Sequence, residues 1–249
     1  IFKANKANIE VHGWLYFFQS KAAWKANPPW RTACNPNNTE DGPFHLNPTH
    51  SEAAKWYTEF VKEIFTFFPG LSGIDFSEPA ISSNCSDVDW TNDSQHLTTL
   101  LTSAASIAKS MNKEVSITPH IPSHNDGTLW TDPEILKHFG FNLKEVLRSN
   151  LYDLILPQIL FQERRPLTVF PVGWTGKATM SYRTRVHEGL RTNFGVHLEL
   201  GADFSNPNTD PIRANELKAE YLSIKKLKFI KWVDFYSDAI LSKIENLPK

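Results

Sequence analysis

The segment Gly73-Ile74-Asp75-Phe76-Ser77-Glu78-Pro79 alternates apolar and polar residues until it ends at a proline. A period of two residues predicts a β-strand with one apolar and one polar face. Acidic groups at the carboxyl end of a strand, just before a loop, occupy the position at which barrel enzymes place catalytic residues. An acidic strand end can also cap the next helix or pair with a surface lysine. The segment therefore predicts a strand and leaves a catalytic and a structural interpretation open.

Strand-like runs recur along the chain, with helical patterns between them. The strands are predicted at Ile9–Phe18, Leu71–Ser77, Glu114–Ile121, Tyr152–Leu160, Val196–Phe204 and Ile230–Ser237, and the helices at Ser51–Phe68, Leu97–Met111, Asp132–Ser149 and Ile212–Leu227. Strands separated by helices indicate βαβ units and a parallel sheet. We predict an α/β fold of the (β/α)8 TIM-barrel type, incomplete or lacking its first strands here, because six strands are two fewer than eight. An open doubly wound sheet is the alternative, but no Gly-rich phosphate loop follows the first strand.

The composition of the chain limits the classes of protein to which it can belong. The 249 residues, with 41% hydrophobic and 21% charged residues, suit one barrel-sized domain, predicted over residues 1–249. A formal net charge of -1 gives no electrostatic reason to expect a nucleic-acid partner. No apolar run approaches the ~20 residues that span a bilayer. The first residues, Phe2–Asn8, resemble the end of a helix that leads into a strand, so we expect this chain to be the later part of a longer protein with further domains.

Two cysteines bear on the cellular compartment. Cys34 and Cys85 each follow a predicted strand and its immediate extension in a polar segment, so neighbouring strands would bring both to one rim and allow a disulfide. Two unrelated free thiols are an equal alternative. A disulfide would indicate an oxidising compartment, and we expect a secreted or periplasmic protein.

Polar residues occupy one face of several predicted strands. They are Glu10, His12, Trp14 and Tyr16, then Ser116, Thr118 and His120, then Gln158, then His197, Glu199 and Asp203, and finally Trp232, Asp234, Tyr236 and Asp238. Burying one unpaired polar group costs ~1–3 kcal/mol. Each residue alone fits a structural role, but the set favours a water-accessible pocket in a barrel mouth. Glu10, low in the barrel, is more typical of a structural position.

A metal site is not predicted. His120 and His124 lie four residues apart, which suits a metal only on a helix. Pro119 and Pro122 argue against a helix at this point. We therefore predict no metal and no cofactor.

Several short motifs occur in a familiar order. They are Ile9-Glu10-Val11-His12-Gly13-Trp14-Leu15, Pro28-Pro29-Trp30, His45-Leu46-Asn47-Pro48, Gly73–Pro79 and Leu156-Pro157-Gln158-Ile159. Together they resemble bacterial TIM-barrel glycoside hydrolases related to the hydrolase domain of poly-N-acetylglucosamine-processing proteins, and glycosyl-hydrolase-like lipoproteins. The match places Glu78 at the second acidic position of the strand-end pair of that family, whereas Ser77 replaces the first. The strand is also similar to that of family 18 chitinases, but the Glu expected further along is missing.

The resemblance implies a glycosidase that cleaves a polysaccharide containing amino sugars by carboxylate acid/base catalysis. From its own position, Glu78, a carboxyl at the mouth of an aromatic-lined pocket, is the predicted general acid. Asp75, whose side chain faces the same way as Ser77, is the predicted orienting or charge-stabilising group, and a further carboxylate would come from Glu199, Asp203 or Asp234. The candidate sugar platforms are Trp14, Trp174, Tyr182 and Tyr236, and the candidate hydrogen-bonding residues are His12, His120 and Gln158. A noncatalytic carbohydrate-binding barrel, motivated by Ser77, and a polysaccharide deacetylase or lyase are the alternatives.

Overall fold

A computed structural model describes residues 1–32, 44–79, 90–119, 136, 140–161, 191–200, 221–222 and 224–235. The chain divides into two compact units. The first comprises residues 1–117 and 131–153, and the second comprises residues 118–130 and 154–249. The prediction of one domain over the whole chain stays a prediction. Within the described ranges, no helix combines the length and the hydropathy that crossing a membrane requires.

The first unit alternates helices with parallel strands. Its elements are α1 (Phe2–Lys6), β1 (His12–Tyr16), α2 (Lys21–Ala26), a 3-10 turn (Pro28–Trp30), α3 (Ser51–Phe67), β2 (Gly73–Ser77), α4 (Trp90–Ser110), β3 (Glu114–Thr118, of which Thr118 belongs to the second unit) and α5 (Leu143–Arg148). Strand β2 lies between β1 and β3. Its register with β1 is parallel and runs from His12 opposite Gly73 to Tyr16 opposite Ser77.

The second unit contains β4 (Leu154–Ile155), β5 (Gln158–Phe161), β6 (Asn193–Leu200) and β7 (Trp232–Phe235). All three of the others pair with β6 in parallel. Leu154 pairs with Asn193, and Gln158 pairs with His197, so the register is the same for β4 and β5. The two are therefore one strand that is interrupted at Leu156-Pro157, where proline has no N–H to donate.

The predicted α/β order is confirmed. When β4 and β5 are counted as one, the described residues hold six strands, one at each of the six predicted positions. Helix α3 shows why the pattern works, because Ala53, Tyr57, Val61 and Phe65 recur every four residues and are all buried. The helix ends before Pro69, which cannot continue it. His50 occupies the N-cap position of α3, and the hydroxyl of Thr49 donates to Asn47 Oδ1 at 2.8 Å.

The apolar core of the first unit lies between the sheet and its helices. Phe17 packs edge-on against Tyr57 and Phe76, with ring centroids 5.3 and 5.9 Å away. Phe76 also contacts Tyr152, whose hydroxyl donates to the Leu101 carbonyl at 3.0 Å. Burial raises the pKa of Tyr152, and the nearby charges of Tyr57 and Asp75 raise it further. This phenol therefore stays neutral and acts as a hydrogen-bond donor in the core.

His45 is a buried titratable group in the same unit. Its carbonyl accepts from the Thr32 hydroxyl at 3.1 Å. Its imidazole is 4% exposed, and no described residue bonds to its Nδ1. Burial lowers the pKa of His45 from 6.5 to about 4. The imidazole is therefore neutral in the folded protein at neutral pH.

This depressed pKa predicts a loss of stability in acid. Between pH 6.5 and about 4, His45 is protonated in the unfolded state but stays unprotonated in the folded state. The free energy of unfolding therefore falls as pH falls through that window. The loss attributable to His45 amounts to about 3 kcal/mol. The free energy of unfolding, measured by urea denaturation at pH 7 and pH 4, should decrease less for His45→Gln than for the unsubstituted protein. His96→Gln, at an exposed position on α4, is the matched control. Equal pH dependence in His45→Gln and the unsubstituted protein would contradict the prediction.

Candidate active site

Strands β1, β2 and β3 present a shared polar face. Register partners on parallel strands point to the same side of a sheet, which groups Trp14 with Asp75 and Tyr16 with Ser77. The third strand contributes Ser116, whose hydroxyl donates to Asp75 Oδ1 at 2.7 Å. The opposite face is apolar, with Ile74, Phe76, Val115 and Ile117 fully buried. The polar face predicted from the alternation is therefore present on these three strands.

Asp75 is the buried carboxylate of this face. It is 8% exposed, and the Ser116 hydroxyl bond fixes one of its oxygens. A buried carboxylate needs hydrogen bonds to offset its loss of hydration. Two residues further along, Ser77 is fully buried, and its hydroxyl has no hydrogen-bond partner among the residues that the structure describes. The face thus combines an oriented acid with a hydroxyl that still has bonding capacity.

Glu78 follows β2 directly and has an unusual backbone. Its φ is 47°, in the left-handed region, and its side chain is half-buried. Residues other than Gly, Asn and Asp rarely adopt this region, and such strain costs on the order of 1–3 kcal/mol. A continued strand would place Glu78 on the apolar face with Phe76, and the left-handed turn ends that alternation. Phe18, just beyond β1, has a φ of 54°, so two adjacent strand ends carry the same strain.

Two aromatic side chains on the polar face are open to solvent. Trp14 and Tyr16 are each 43% exposed, and their ring centroids lie 4.9 Å apart at an interplanar angle of 50°. Both belong to β1, in register with Asp75 and Ser77. Exposed aromatic rings beside polar groups offer an apolar surface on which a sugar ring can stack.

His12 lies at the other end of the strand from this group. It is the first residue of β1 and pairs with Gly73, five residues before Glu78. At about 3.3 Å per residue this separation is about 16 Å. The partner of His12 is Glu114, with Nε2 and Oε2 3.4 Å apart. The structure therefore brings Trp14 and Asp75 together and leaves His12 apart from Glu78.

The second unit aligns other predicted positions. Gln158 is 2% exposed, and its backbone N–H donates to the Pro119 carbonyl at 2.7 Å. It is in register with His197, which is in register with Asp234 on β7. Glu199 lies in β6, in register with Leu160. Only the backbone of Glu199 and Asp234 is described. The other predicted residues lie outside the described part of the chain: Asp203, His120, Trp174, Tyr182 and Tyr236, together with Cys34 and Cys85.

Three residues with a place in this arrangement were not among the predicted site residues. Ser116 orients Asp75, Tyr16 lies beside Trp14, and His197 lies between Gln158 and Asp234 in the register. Each occupies an alternating polar position of its strand, so the period-two pattern carried the signal. The pattern does not show which strands pair with one another, or in which register.

No family model matches the chain, and no curated protein does. Among solved structures, a class V chitinase from Pseudomonas fluorescens Pf-5 matches with a TM-score of 0.60 at 9% identity, over 98% of this chain and 82% of that chain. A chitinase from Chromobacterium violaceum matches with a TM-score of 0.56 at 10% identity, over 98% and 81%. Ega3 from Aspergillus fumigatus, in complex with galactosamine, matches with a TM-score of 0.46 at 9% identity, over 80% of this chain and 64% of that one.

The likeness to the two chitinases shows the fold. The chain has the α/β fold of TIM-barrel glycoside hydrolases, and its described strands are those of an incomplete barrel. In such barrels the active site lies at the carboxyl ends of the strands. Glu78 occupies that end of β2, whereas His12 lies at the amino end of β1.

Proposed function

We propose that this protein is a glycoside hydrolase that cleaves a polysaccharide containing amino sugars. The observation that carries the proposal is Glu78, a half-buried carboxyl group held in a left-handed conformation at the carboxyl end of a barrel strand. Strained residues cluster at active sites, because the surrounding structure must stabilise a conformation that the residue alone disfavours. The barrel fold shared with two chitinases supports this proposal.

Glycosidic cleavage requires an acid that protonates the leaving oxygen and a group that stabilises the positive charge at the sugar. In our proposal Glu78 is the acid. Asp75, buried and held by Ser116, orients the reacting groups or stabilises the charge. A further carboxylate would come from Glu199, Asp203 or Asp234. An N-acetylated amino-sugar substrate offers another route, since its own acetamide group can act as the nucleophile in substrate-assisted families.

The polar face supplies groups that suit a carbohydrate. Trp14 and Tyr16 offer an exposed aromatic surface beside Asp75. The Ser77 hydroxyl, which has no partner within the described ranges, can exchange a hydrogen bond with a substrate hydroxyl or amide. Sugar recognition commonly needs both an apolar surface for the ring and polar groups for its substituents, which fits the general composition of ligand sites.

A noncatalytic carbohydrate-binding barrel is the second candidate. Ser77 favours it, because this residue stands where the resembled family has the first acid of its strand-end pair. Such a protein would retain the aromatic surface and lose the chemistry. A deacetylase or lyase on the same scaffold is a third alternative, and its metal-dependent form would lose activity on chelation.

We also propose that the protein is secreted or periplasmic, with Cys34 and Cys85 joined in a disulfide. The support is the presence of only two cysteines in 249 residues, both in polar segments after predicted strands. Further domains of a longer chain are part of the same proposal.

Product analysis tests the proposed activity. The protein is incubated with a panel of amino-sugar and neutral polysaccharides, and soluble products are identified by mass spectrometry. We expect shortened oligosaccharides from an amino-sugar polymer, and no such products after incubation with heat-denatured protein. Saturable binding to a polymer without any product would support the binding barrel and contradict the glycosidase. Release of acetate without chain shortening, abolished by a chelator, would support the deacetylase.

A further inference from the structure

Three side chains that can bind a metal converge at the amino ends of the strands. They are Glu10, His12 and Glu114, and one potential ligand atom from each lies within 4.8 Å of the other two. His12, Gly73 and Glu114 are the first residues of β1, β2 and β3. This group lies at the opposite end of the strands from Glu78, so it is separate from the proposed active site.

Gly73 makes the convergence possible. Strand β2 lies between β1 and β3, so His12 must pass over β2 to reach Glu114. A Cβ atom at Gly73 would come within 2.7 Å of His12 Cε1, 2.9 Å of its Nδ1 and 2.6 Å of the Glu114 carbonyl oxygen. Any other residue at position 73 would therefore displace the imidazole. The missing side chain leaves the imidazole room to lie across β2.

The side chains of Glu10, His12 and Glu114 are suited to binding a cation. Glu10 and Glu114 carry carboxyl groups, and the imidazole of His12 has ring nitrogens that can coordinate a metal. A divalent ion would neutralise the two carboxylates and accept a lone pair from an imidazole nitrogen. Zn²⁺ takes imidazole nitrogen and carboxylate oxygen at about 2.0–2.2 Å, in tetrahedral sites that can leave one position to water.

The observed spacing fits that coordination. Two ligand atoms at about 2.1 Å from a tetrahedral ion lie about 3.4 Å apart. His12 Nε2 and Glu114 Oε2 are 3.4 Å apart. The ligand atoms of all three residues lie within 4.8 Å of one another. Glu10 is exposed, so a change of its side-chain rotamer can bring its carboxylate oxygen closer to the other two ligand atoms. We propose that Glu10, His12 and Glu114 bind a zinc ion whose fourth position is open to water, and that this ion joins the amino ends of β1 and β3 across Gly73.

Zinc titration of the full chain tests the site and needs no enzymatic activity. The protein is freed of metal with a chelator, dialysed, and titrated with ZnCl₂ by isothermal calorimetry. His12→Ala and Glu114→Gln should each remove one equivalent of bound zinc or weaken it by at least about tenfold. His96→Ala, an exposed histidine on α4, is the matched control and should leave that equivalent intact. Using the difference between variants excludes zinc bound by other histidines or cysteines.

Thermal unfolding provides the second readout. Zinc that binds only the folded state raises Tm, and this rise should be smaller in His12→Ala and in Gly73→Ala than in the unsubstituted protein. Glu114→Gln decides the question if His12→Ala does not fold, because Glu114 is 54% exposed and tolerates substitution. Equal zinc stoichiometry, affinity and Tm shift in Glu114→Gln and the unsubstituted protein would overturn the proposal.

Discussion

Glu78→Gln is expected to slow glycosidic cleavage by about 10²–10⁴-fold, the usual contribution of a general acid. The substitution keeps the shape of the side chain and removes its proton. The backbone of residue 78 has a φ of 47°, and glutamine is no better or worse suited to that conformation than glutamate. We therefore expect the folded structure and polysaccharide binding to persist while the rate falls. Initial rates on the polymer identified by product analysis measure the effect.

Glu59→Gln is the matched control for this variant. Glu59 is an exposed carboxyl group on α3, so removing its charge should leave the rate unchanged. A Glu78→Gln protein that cleaves at the unsubstituted rate would show that another residue is the acid. If cleavage falls in step with binding, Glu78 positions the substrate and does not donate the proton. The two outcomes are separated by measuring kcat and KM independently.

The polar face was predictable because alternation is a local property. Asp75 and Ser77 are two residues apart in a strand, and any strand places such residues on one side. The strand positions followed from the same pattern. The break between β4 and β5 at Pro157 was also predictable, because proline removes a ladder hydrogen bond. The sequence analysis nevertheless predicted one continuous strand there.

The level of each residue along the barrel was not predictable in the same way. Alternation grouped His12 with Trp14, but the register with β2 places His12 beside Gly73 and Trp14 beside Asp75. The partner of His12 is Glu114, more than a hundred residues away in the chain. The Ser116–Asp75 bond is likewise non-local. Contacts of this kind depend on how strands pair, and a single strand carries no information about its neighbour.

The backbone strain at Phe18 and Glu78 could not be predicted from sequence patterns either. Neither residue favours a positive φ, so local propensity predicts the opposite of what the fold imposes. The packing of the strand ends supplies the energy that holds them. Phe17, beside Phe18, packs on Tyr57 and Phe76, and its N–H donates to the Ser77 carbonyl at 3.1 Å. Core contacts and the strained ends therefore belong to one arrangement.

Phe76→Ala should consequently lower the free energy of unfolding by about 3–5 kcal/mol. Phe76 is fully buried and contacts Phe17 and Tyr152 edge-on, with ring centroids 5.9 and 6.5 Å away. Removing its ring leaves a cavity between β2 and the core and loses both aromatic contacts. Urea denaturation followed by circular dichroism measures the change.

Phe67→Ala is the control, because Phe67 is 73% exposed and should change stability by no more than about 0.5 kcal/mol. Phe76 also lies between Asp75 and Ser77 in the chain, so its packing on the apolar face fixes how those two side chains are presented on the polar face. We expect Phe76→Ala to reduce cleavage even at temperatures where the variant is folded. Equal stability losses in the two variants would place Phe76 outside the core and remove the packing that we hold responsible for the strained strand ends.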